Sequence, residues 1–236
     1  MNGKPVAVVV GVGPGLGIAL VERFARAGMA VAMAARQVDR LERLLEERPV
    51  DGARPYACDA ADRAQVDRLF EQVQIELGTP ELVAFNAGTF QPGGVLDIDP
   101  SEFERCWRIG CFAGFLVGKA AASLMVQDGR GTIVFTGATA ALRGSANFAN
   151  LAVPKFGLRA LAQSMARELG PKGIHVAHAI IDGQILSERY QHLETQRGPD
   201  SLLRPEAIAE TYYQLHLQPR SAWTHELDLR PWAEKF

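Results

Sequence analysis

The sequence predicts an α/β chain folded as one doubly wound parallel sheet with helices on both faces. Three observations carry that prediction. Short β-branched or apolar runs alternate with longer amphipathic segments. The runs are apolar at consecutive positions, as in strands covered on both sides. Glycines cluster where the first run gives way to the first amphipathic segment. Such alternation builds βαβ units, whose right-handed crossovers spread helices over both sides of the sheet.

Taken in order, the strand candidates are Val6–Val10, Ala30–Ala34, Leu82–Phe85, Thr132–Thr136 and His175–Ile181. Between them, Gly17–Ala27, Val38–Glu47, Arg63–Leu77, Glu102–Met125 and Phe156–Leu169 carry apolar residues at helical spacing. In Arg63–Leu77, for instance, Val66, Leu69, Phe70 and Val73 share one face, opposite Asp67, Arg68 and Glu71. Segment 183–204 reads as a polar, charged insertion with Tyr190, His192 and a Gly198-Pro199 turn, either a lid over a substrate or solvent-facing filler. Thr224–Phe236 reads as a last strand and a tail, with Leu227 and Leu229 on one side and Trp232 and Phe236 as anchors. No linker divides residues 1–236, so a single domain is expected.

At 236 residues, 47% hydrophobic and 22% charged, the chain can bury one substantial core. Its net charge of -2 is spread over mixed signs, and Arg143, Arg159 and Arg167 are too scattered for a nucleic-acid groove. Cys58, Cys106 and Cys111 are odd in number and lack metal-ligand spacing. They are expected to be reduced thiols in a cytoplasmic protein without a metal. Lys4-Pro5 leads straight into the first apolar run, which does not resemble an export signal. The apolar stretch from Phe24 to Ala35 is broken by Arg26 and Gly28, far short of the roughly 20 residues a bilayer needs. No membrane and no nucleic acid are expected among its partners.

Val6–Val10 is followed by Gly11-Val12-Gly13-Pro14-Gly15-Leu16-Gly17 and then by an amphipathic helix. Glycines there let the chain turn tightly and let backbone approach a pyrophosphate, while the helix start aims its N–H groups and positive dipole end at the anion. A plain strand-to-helix turn is the alternative. The second strand ends in Ala34-Ala35-Arg36, with no acid to accept a ribose hydroxyl. The Arg36 donor fork suits a 2′-phosphate, so NADP(H) is expected ahead of NAD(H), unless Arg36 is simply a solvated helix-start residue.

These residues resemble the short-chain dehydrogenase/reductase family, and the resemblance spans nearly the whole chain. It is carried by the spacing of Gly11, Gly15 and Gly17, by Cys58-Asp59, by Asn86-Ala87-Gly88, and by the segment from Lys155 to Ile174. It implies a single-domain Rossmann fold acting on a small or medium carbonyl or alcohol substrate. The nicotinamide dinucleotide would be bound by Gly11, Gly13, Gly15, Leu16, Gly17, Arg36, Asp59, Asn86, Ala87, Gly88, Lys155, Asp182 and Gly183, with Asp59 at the adenine. Lys155 matches the lysine that holds the nicotinamide ribose and lowers the pKa of a tyrosine four residues earlier, a position that is Leu151 here. The usual serine position, thirteen residues before that, is Ala138, and the usual asparagine position is Cys111. The family's Pro-Gly after the sixth strand is replaced by Asp182-Gly183, whose carboxylate can hold a backbone amide, a substrate hydroxyl or Lys155, or cap the next segment.

Leucine has no proton to deliver and alanine cannot polarise a carbonyl, so the family's route does not transfer directly. Substitute groups are available in Thr136 and Thr139 around Ala138, in Asn147 and Asn150 before Leu151, and in Tyr190. Thr139 could hold a substrate oxygen and Tyr190 could supply a phenol; a structural hydrogen bond is the alternative for each. His192 is a further acid candidate, whereas His175 and His178, three apart in a strand, face opposite sides and share no metal. Two functions follow: an NADP(H)-dependent oxidoreductase with a non-standard proton donor, or a cofactor-binding sensor or scaffold with little redox activity. Nothing specific supports isomerisation or elimination. The family resemblance implies a homo-dimer or homo-tetramer, and Gly114, Gly118 and Ala121 would permit close helix contact, unless they pack within their own domain.

Overall fold

A computed structural model describes residues 3–234. Its seven strands form a parallel sheet, and their succession explains where a ligand can sit. β1 (Val6–Val10), β2 (Ala30–Ala35), β3 (Ala53–Ala57), β4 (Pro80–Phe85), β5 (Gly131–Thr136), β6 (Ile174–Ile181) and β7 (Glu226–Leu229) lie in the order β3-β2-β1-β4-β5-β6-β7. The chain winds outward from β1 in one direction and then restarts at β4 in the other, and the crevice opens at that reversal.

Alternate residues of β1 serve the two faces of the sheet. Val6, Val8 and Val10 join a core with Phe70, Phe85, Val117, Phe135 and Leu158. Ala7 and Val9 join another with Leu20, Phe24, Leu41 and Tyr212. The first core lies under α3 (Arg63–Glu76), α5 (Ala113–Asp128) and α6 (Ala149–Leu169), reached after α4 (Pro100–Trp107). The second lies under α1 (Leu16–Arg26) and α2 (Val38–Glu47), and under α8 (Pro205–Leu217), which follows the short α7 (Gln191–Arg197).

All five sequence-read strands and all five helices are present, β1 and α2 with the expected ends and the others with shifted ones. Three elements escaped the apolar patterning, one of them the short α7, whose only apolar residue is Leu193. β3 is an edge strand in which Tyr56 alone is fully buried, and it contains Pro55, which an edge tolerates because its amide need not pair. α8 begins with Pro205 at its first turn and buries Ile208, Ala209, Tyr212 and Leu215. The segment read as one helix from Glu102 to Met125 is interrupted by a π-helical stretch, Arg108–Phe112. The whole run Pro100–Asp128 is long and apolar enough to cross a membrane, yet half of its most apolar window is buried inside the domain.

Its small residues pack inward. A Cβ on Gly114 would lie 2.4 Å from Leu158 Cδ1, and one on Gly118 would lie 2.9 Å from both Phe135 and Met165. Gly114 and Gly118 are therefore used within the domain rather than offered to another chain, and Ala121 is likewise fully buried. At the other end, Leu227 and Leu229 pack on the α8 side of the sheet as expected. Trp232 does not anchor the tail by burial: it is 79% exposed, while Pro231 beside it is buried. Its indole N–H donates to Pro199 O at 3.4 Å. Phe236, the other expected anchor, lies outside the described residues.

β6, β7 and α6 are joined by a polar group inside this apolar frame. Arg159 donates two hydrogen bonds of 2.7 Å to Glu226, whose carboxylate also meets His178 Nδ1 at 3.2 Å. His178 is fully buried, and burial pushes its pKa down to about 4 from 6.5. Arg159 and His178 hold Glu226 below the usual carboxylate range. Both shifts act in the same direction. As pH falls below 6.5 the unfolded chain protonates its histidine while the folded chain cannot, so stability is lost down to about pH 4. His178→Asn should flatten that part of the profile, removing on the order of 3 kcal/mol of pH-dependent change. Urea titrations at pH 7, 5.5 and 4.5 measure it, and parallel profiles for the two proteins would contradict the account.

Candidate active site

The crevice is built around a close approach between two strand ends. Gly11 has φ +92°, and a Cβ there would lie 2.4 Å from the backbone nitrogen of Ala87. Asn86 Nδ2 donates to Gly11 O at 3.0 Å, fastening the end of β4 to the end of β1. Gly17 is equally constrained, since its Cβ would lie 2.6 Å from Val12 Cα. Gly13 and Gly15 differ, because a Cβ on either would meet nothing within 4 Å. Packing therefore demands glycine at 11 and 17, whereas at 13 and 15 its absence of a side chain leaves room beside the helix start. No side chain caps α1 and no acid sits in its first turn, so its positive end is left for an anion. Leu16, at that start, is buried and supports the loop from beneath.

A cavity of about 270 Å³ follows from this loop, lined by Gly11, Gly13, Ala35, Arg36, Asp59, Asn86, Ala87 and Gly88. The structure thus brings together seven of the thirteen expected cofactor residues, from four strand ends. Thr89, Ile109 and Ala113 also line it, and no sequence motif had marked them. Asp59 accepts from Ala61 N–H at 3.0 Å, and its own N–H donates to Gln65 Oε1, so the turn is fixed by side chains. A larger open groove of about 920 Å³ adjoins it, with Gly13, Arg36, Gln37, Arg40 and Arg43 along its walls. Arg36 and Arg40 are exposed and form no ion pair among the described residues. Arg40 lies in the first turn of α2, four residues after Arg36, and the groove brings both to one wall.

On the other side of β4 the strand ends carry the residues expected near the nicotinamide. Lys155 and Leu151 are four apart on α6 and share a face. Lys155 is buried, and Nζ donates to Thr136 O at 2.6 Å. A Cβ on Gly88 would stand 3.9 Å from that nitrogen, which places Nζ across the crevice from the end of β4. Burial lowers the Lys155 pKa from 10.5 to about 8. Ala138 is half-buried in extended backbone just beyond β5. Cys111 sits in the π-helical stretch against Gly157, whose Cβ would fall 2.7 Å from the sulfur, and burial raises the thiol pKa.

The substitute groups are more tightly engaged than the sequence suggested. Thr139 Oγ1 donates to Asp182 Oδ1 at 2.5 Å, and Asp182 Oδ2 lies 3.1 Å from Arg230. Asp182 thus binds a side chain of the 3₁₀ turn after β5 and one beyond β7, neither of which had been assigned to it. Gly183, with φ +144°, gives way to Pro231, whose Cδ would be 2.9 Å from a Cβ there. Thr136 Oγ1 accepts from Tyr212, and Asn150 Nδ2 donates to Gln91 O. Asn147 O accepts from Gly93 N–H in the facing loop. Tyr190 belongs to a 3₁₀ turn, its ring under the Arg189 guanidinium at 5.3 Å, and His192 is exposed on α7. His175 and His178 bind different partners, as their opposite directions require. No cluster of metal-ligating side chains occurs among the described residues.

The sequence profile of the short chain dehydrogenase family matches residues 5–197. The chain belongs to that family, and with it to the NAD(P)-dependent oxidoreductases. A short-chain dehydrogenase from Rhodopseudomonas palustris is 37% identical, covers 97% of this chain and 99% of its own, and superposes with a TM-score of 0.83. A 3alpha-hydroxysteroid dehydrogenase of Mediterraneibacter gnavus is 29% identical over 207 residues, covering 85% of this chain and 79% of that protein. A metagenomic short-chain oxidoreductase in complex with NADP shares the fold at 24% identity, with a TM-score of 0.82 over 97% of each chain.

The two kinds of glycine make a testable distinction. Gly17→Ala should destabilise the fold by about 1–3 kcal/mol through backbone overlap. Gly13→Val should leave stability within roughly 0.5 kcal/mol and weaken dinucleotide binding about 10-fold or more. Urea unfolding and titration calorimetry on both variants read the two effects separately.

Proposed function

We propose that the protein is an NADP(H)-dependent oxidoreductase that interconverts a carbonyl and an alcohol, using a proton donor other than the family's tyrosine. The observation that carries the cofactor choice is the pair of unpaired guanidiniums, Arg36 and Arg40, beside Ala35 at the end of β2. Ala35 puts no carboxylate at that strand end to repel a 2′-phosphate, and along the adjoining groove Arg36, Arg40 and Arg43 outnumber Glu47. Gly13 and Gly15 give the pyrophosphate its place, Asp59 and Asn86 frame the adenosine side, and Lys155 orients the nicotinamide ribose. When bound, the reduced dinucleotide supplies the hydride.

Leu151 and Ala138 shape the reacting end of the site without giving or polarising a proton. The Phe90 and Phe148 rings, 4.7 Å apart, lie at its outer edge with exposed Leu142. That rim favours an apolar organic carbonyl. We assign segment 183–204 as the lid over it. Its base is closed by a parallel bridge between Ile185 and Leu203, and Arg204 reaches Glu194 at 2.8 Å. Assembly as a homo-dimer or homo-tetramer is supported by exposed Phe115, Val153 and Phe156 on α5 and α6. Three unpaired cysteines fit a reducing, cytoplasmic setting.

Arg36→Ala should weaken NADPH binding by about 10- to 100-fold and change NADH binding little, since charge-assisted hydrogen bonds are worth about 1.5–3 kcal/mol. Fluorescence titration of both nucleotides tests the cofactor assignment, and equal losses for the two would overturn it. NADPH consumption with a panel of apolar ketones and aldehydes tests the reaction. Tight NADPH binding with no turnover would leave a cofactor-binding protein instead.

A further inference from the structure

Reducing a carbonyl requires a proton donor within hydrogen-bond reach of the oxygen that becomes the alcohol. Leu151 and Ala138 have none to give. The hydroxyl proton of Thr139 is directed to Asp182 at 2.5 Å. Tyr190 forms no side-chain hydrogen bond to the strand ends or to α6 among the described residues, and its ring lies under Arg189. Lys155 remains. One of its three N–H hydrogens goes to Thr136 O, and its nitrogen faces the end of β4 across from Gly88, which is exposed to the crevice.

We propose that the Lys155 ammonium is itself the general acid of this site, handing its proton to the substrate oxygen. This rests on the reading of the site as a carbonyl reductase. The substrate carbon accepts a hydride from the reduced nicotinamide, and the carbonyl π pair moves to oxygen. That oxygen takes a proton from Nζ, leaving the N–H bonding pair on a neutral amine. Water then reprotonates Nζ. In sum, a carbonyl, a reduced dinucleotide and one proton give an alcohol and an oxidised dinucleotide.

An ordinary lysine is a weak acid near neutral pH, and burial corrects this by bringing Lys155 to about 8. The ionisable groups on neighbouring elements do not reverse that effect. His178 on β6 is neutral over the working range, held down by burial, and the Lys155 charge adds to that. Glu226 on β7 is taken up by Arg159 of α6 and by His178. Asp182 is taken up by Thr139 and Arg230, and the Cys111 thiol is held above its usual range. No carboxylate forms an ion pair with Lys155 among the described residues.

Lys155→Arg separates binding from proton delivery, because a guanidinium keeps the charge and donors but does not release a proton near neutral pH. NADPH affinity of this variant, by calorimetry, should stay within about 5-fold, while carbonyl turnover falls about 100-fold or more. In the native protein the rate of reduction should fall as pH rises through about 8. A readout free of cofactor guards against a misfolded variant: in NMR titration of the native protein the Lys155 Cε resonance, assigned by its loss in Lys155→Arg, should titrate near 8. A Lys155→Arg protein as active as the native one, or a Lys155 that titrates near 10.5, overturns the assignment. A native protein that binds NADPH yet reduces no carbonyl overturns the reductase reading instead.

Discussion

The ends of β1 and β4 meet more closely than two side-chain-bearing residues would allow. Gly11 lies where a Cβ would overlap the Ala87 backbone, its carbonyl accepts from Asn86, and its amide donates to Ala34 O. This one contact fixes β2, β1 and β4 relative to one another at the place where strand order reverses. The cavity lined by Asp59 and Asn86 opens on one side of it and the face occupied by Lys155 on the other. A larger residue at 11 would meet both a steric barrier and an unfavourable positive φ. The glycine is therefore required by the architecture before any ligand arrives. Gly13 and Gly15, with open space about them, are under no such demand from packing.

Local features were legible because they are local. The β1 run, the glycine spacing, Asn86-Ala87-Gly88 and Lys155 each declare themselves within a few residues, and the structure gathers them at one sheet end. β3 was not legible because an edge strand with one solvated side need not be apolar, and Pro55 argues against a strand. α8 did offer Pro205 and apolar residues at helical spacing, but they follow a polar insertion that concealed the start. The π-helical stretch leaves helical periodicity nearly intact, so sequence reads straight through it. The Thr139–Asp182–Arg230 group joins side chains 43 and 48 positions apart, and no pattern along the chain announces such a pairing.

The crevice has different electrostatics at its two ends. Arg36 and Arg40 stand in water, where an unpaired cation is well solvated and free to meet an anion. At the ends of β5 and β6 the charged groups are withdrawn from water, and their partners decide their state. Asp182 has Arg230 and Thr139, and Glu226 has Arg159 and His178. Lys155 has a neutral carbonyl, so nothing offsets the loss of its hydration with an opposite charge. Its proton is the one held least firmly there, and this follows from the partners it lacks as much as from its burial.

The C-terminal strand ties this chemistry to the rim of the site. Arg230 follows β7 directly and meets Asp182, Pro231 packs on Gly183, and the Trp232 indole reaches Pro199. Asp182 N–H also donates to Leu229 O, so the last strand holds the start of the 183–204 segment by backbone as well as by charge. Within that segment, Leu186 N–H donates to Leu203 O and Leu203 N–H to Gln184 O, closing a short neck. Ser201 and Leu202, just before the neck closes, are buried, so the segment is held at both of its ends by packing and backbone hydrogen bonds together with the Asp182–Arg230 pair.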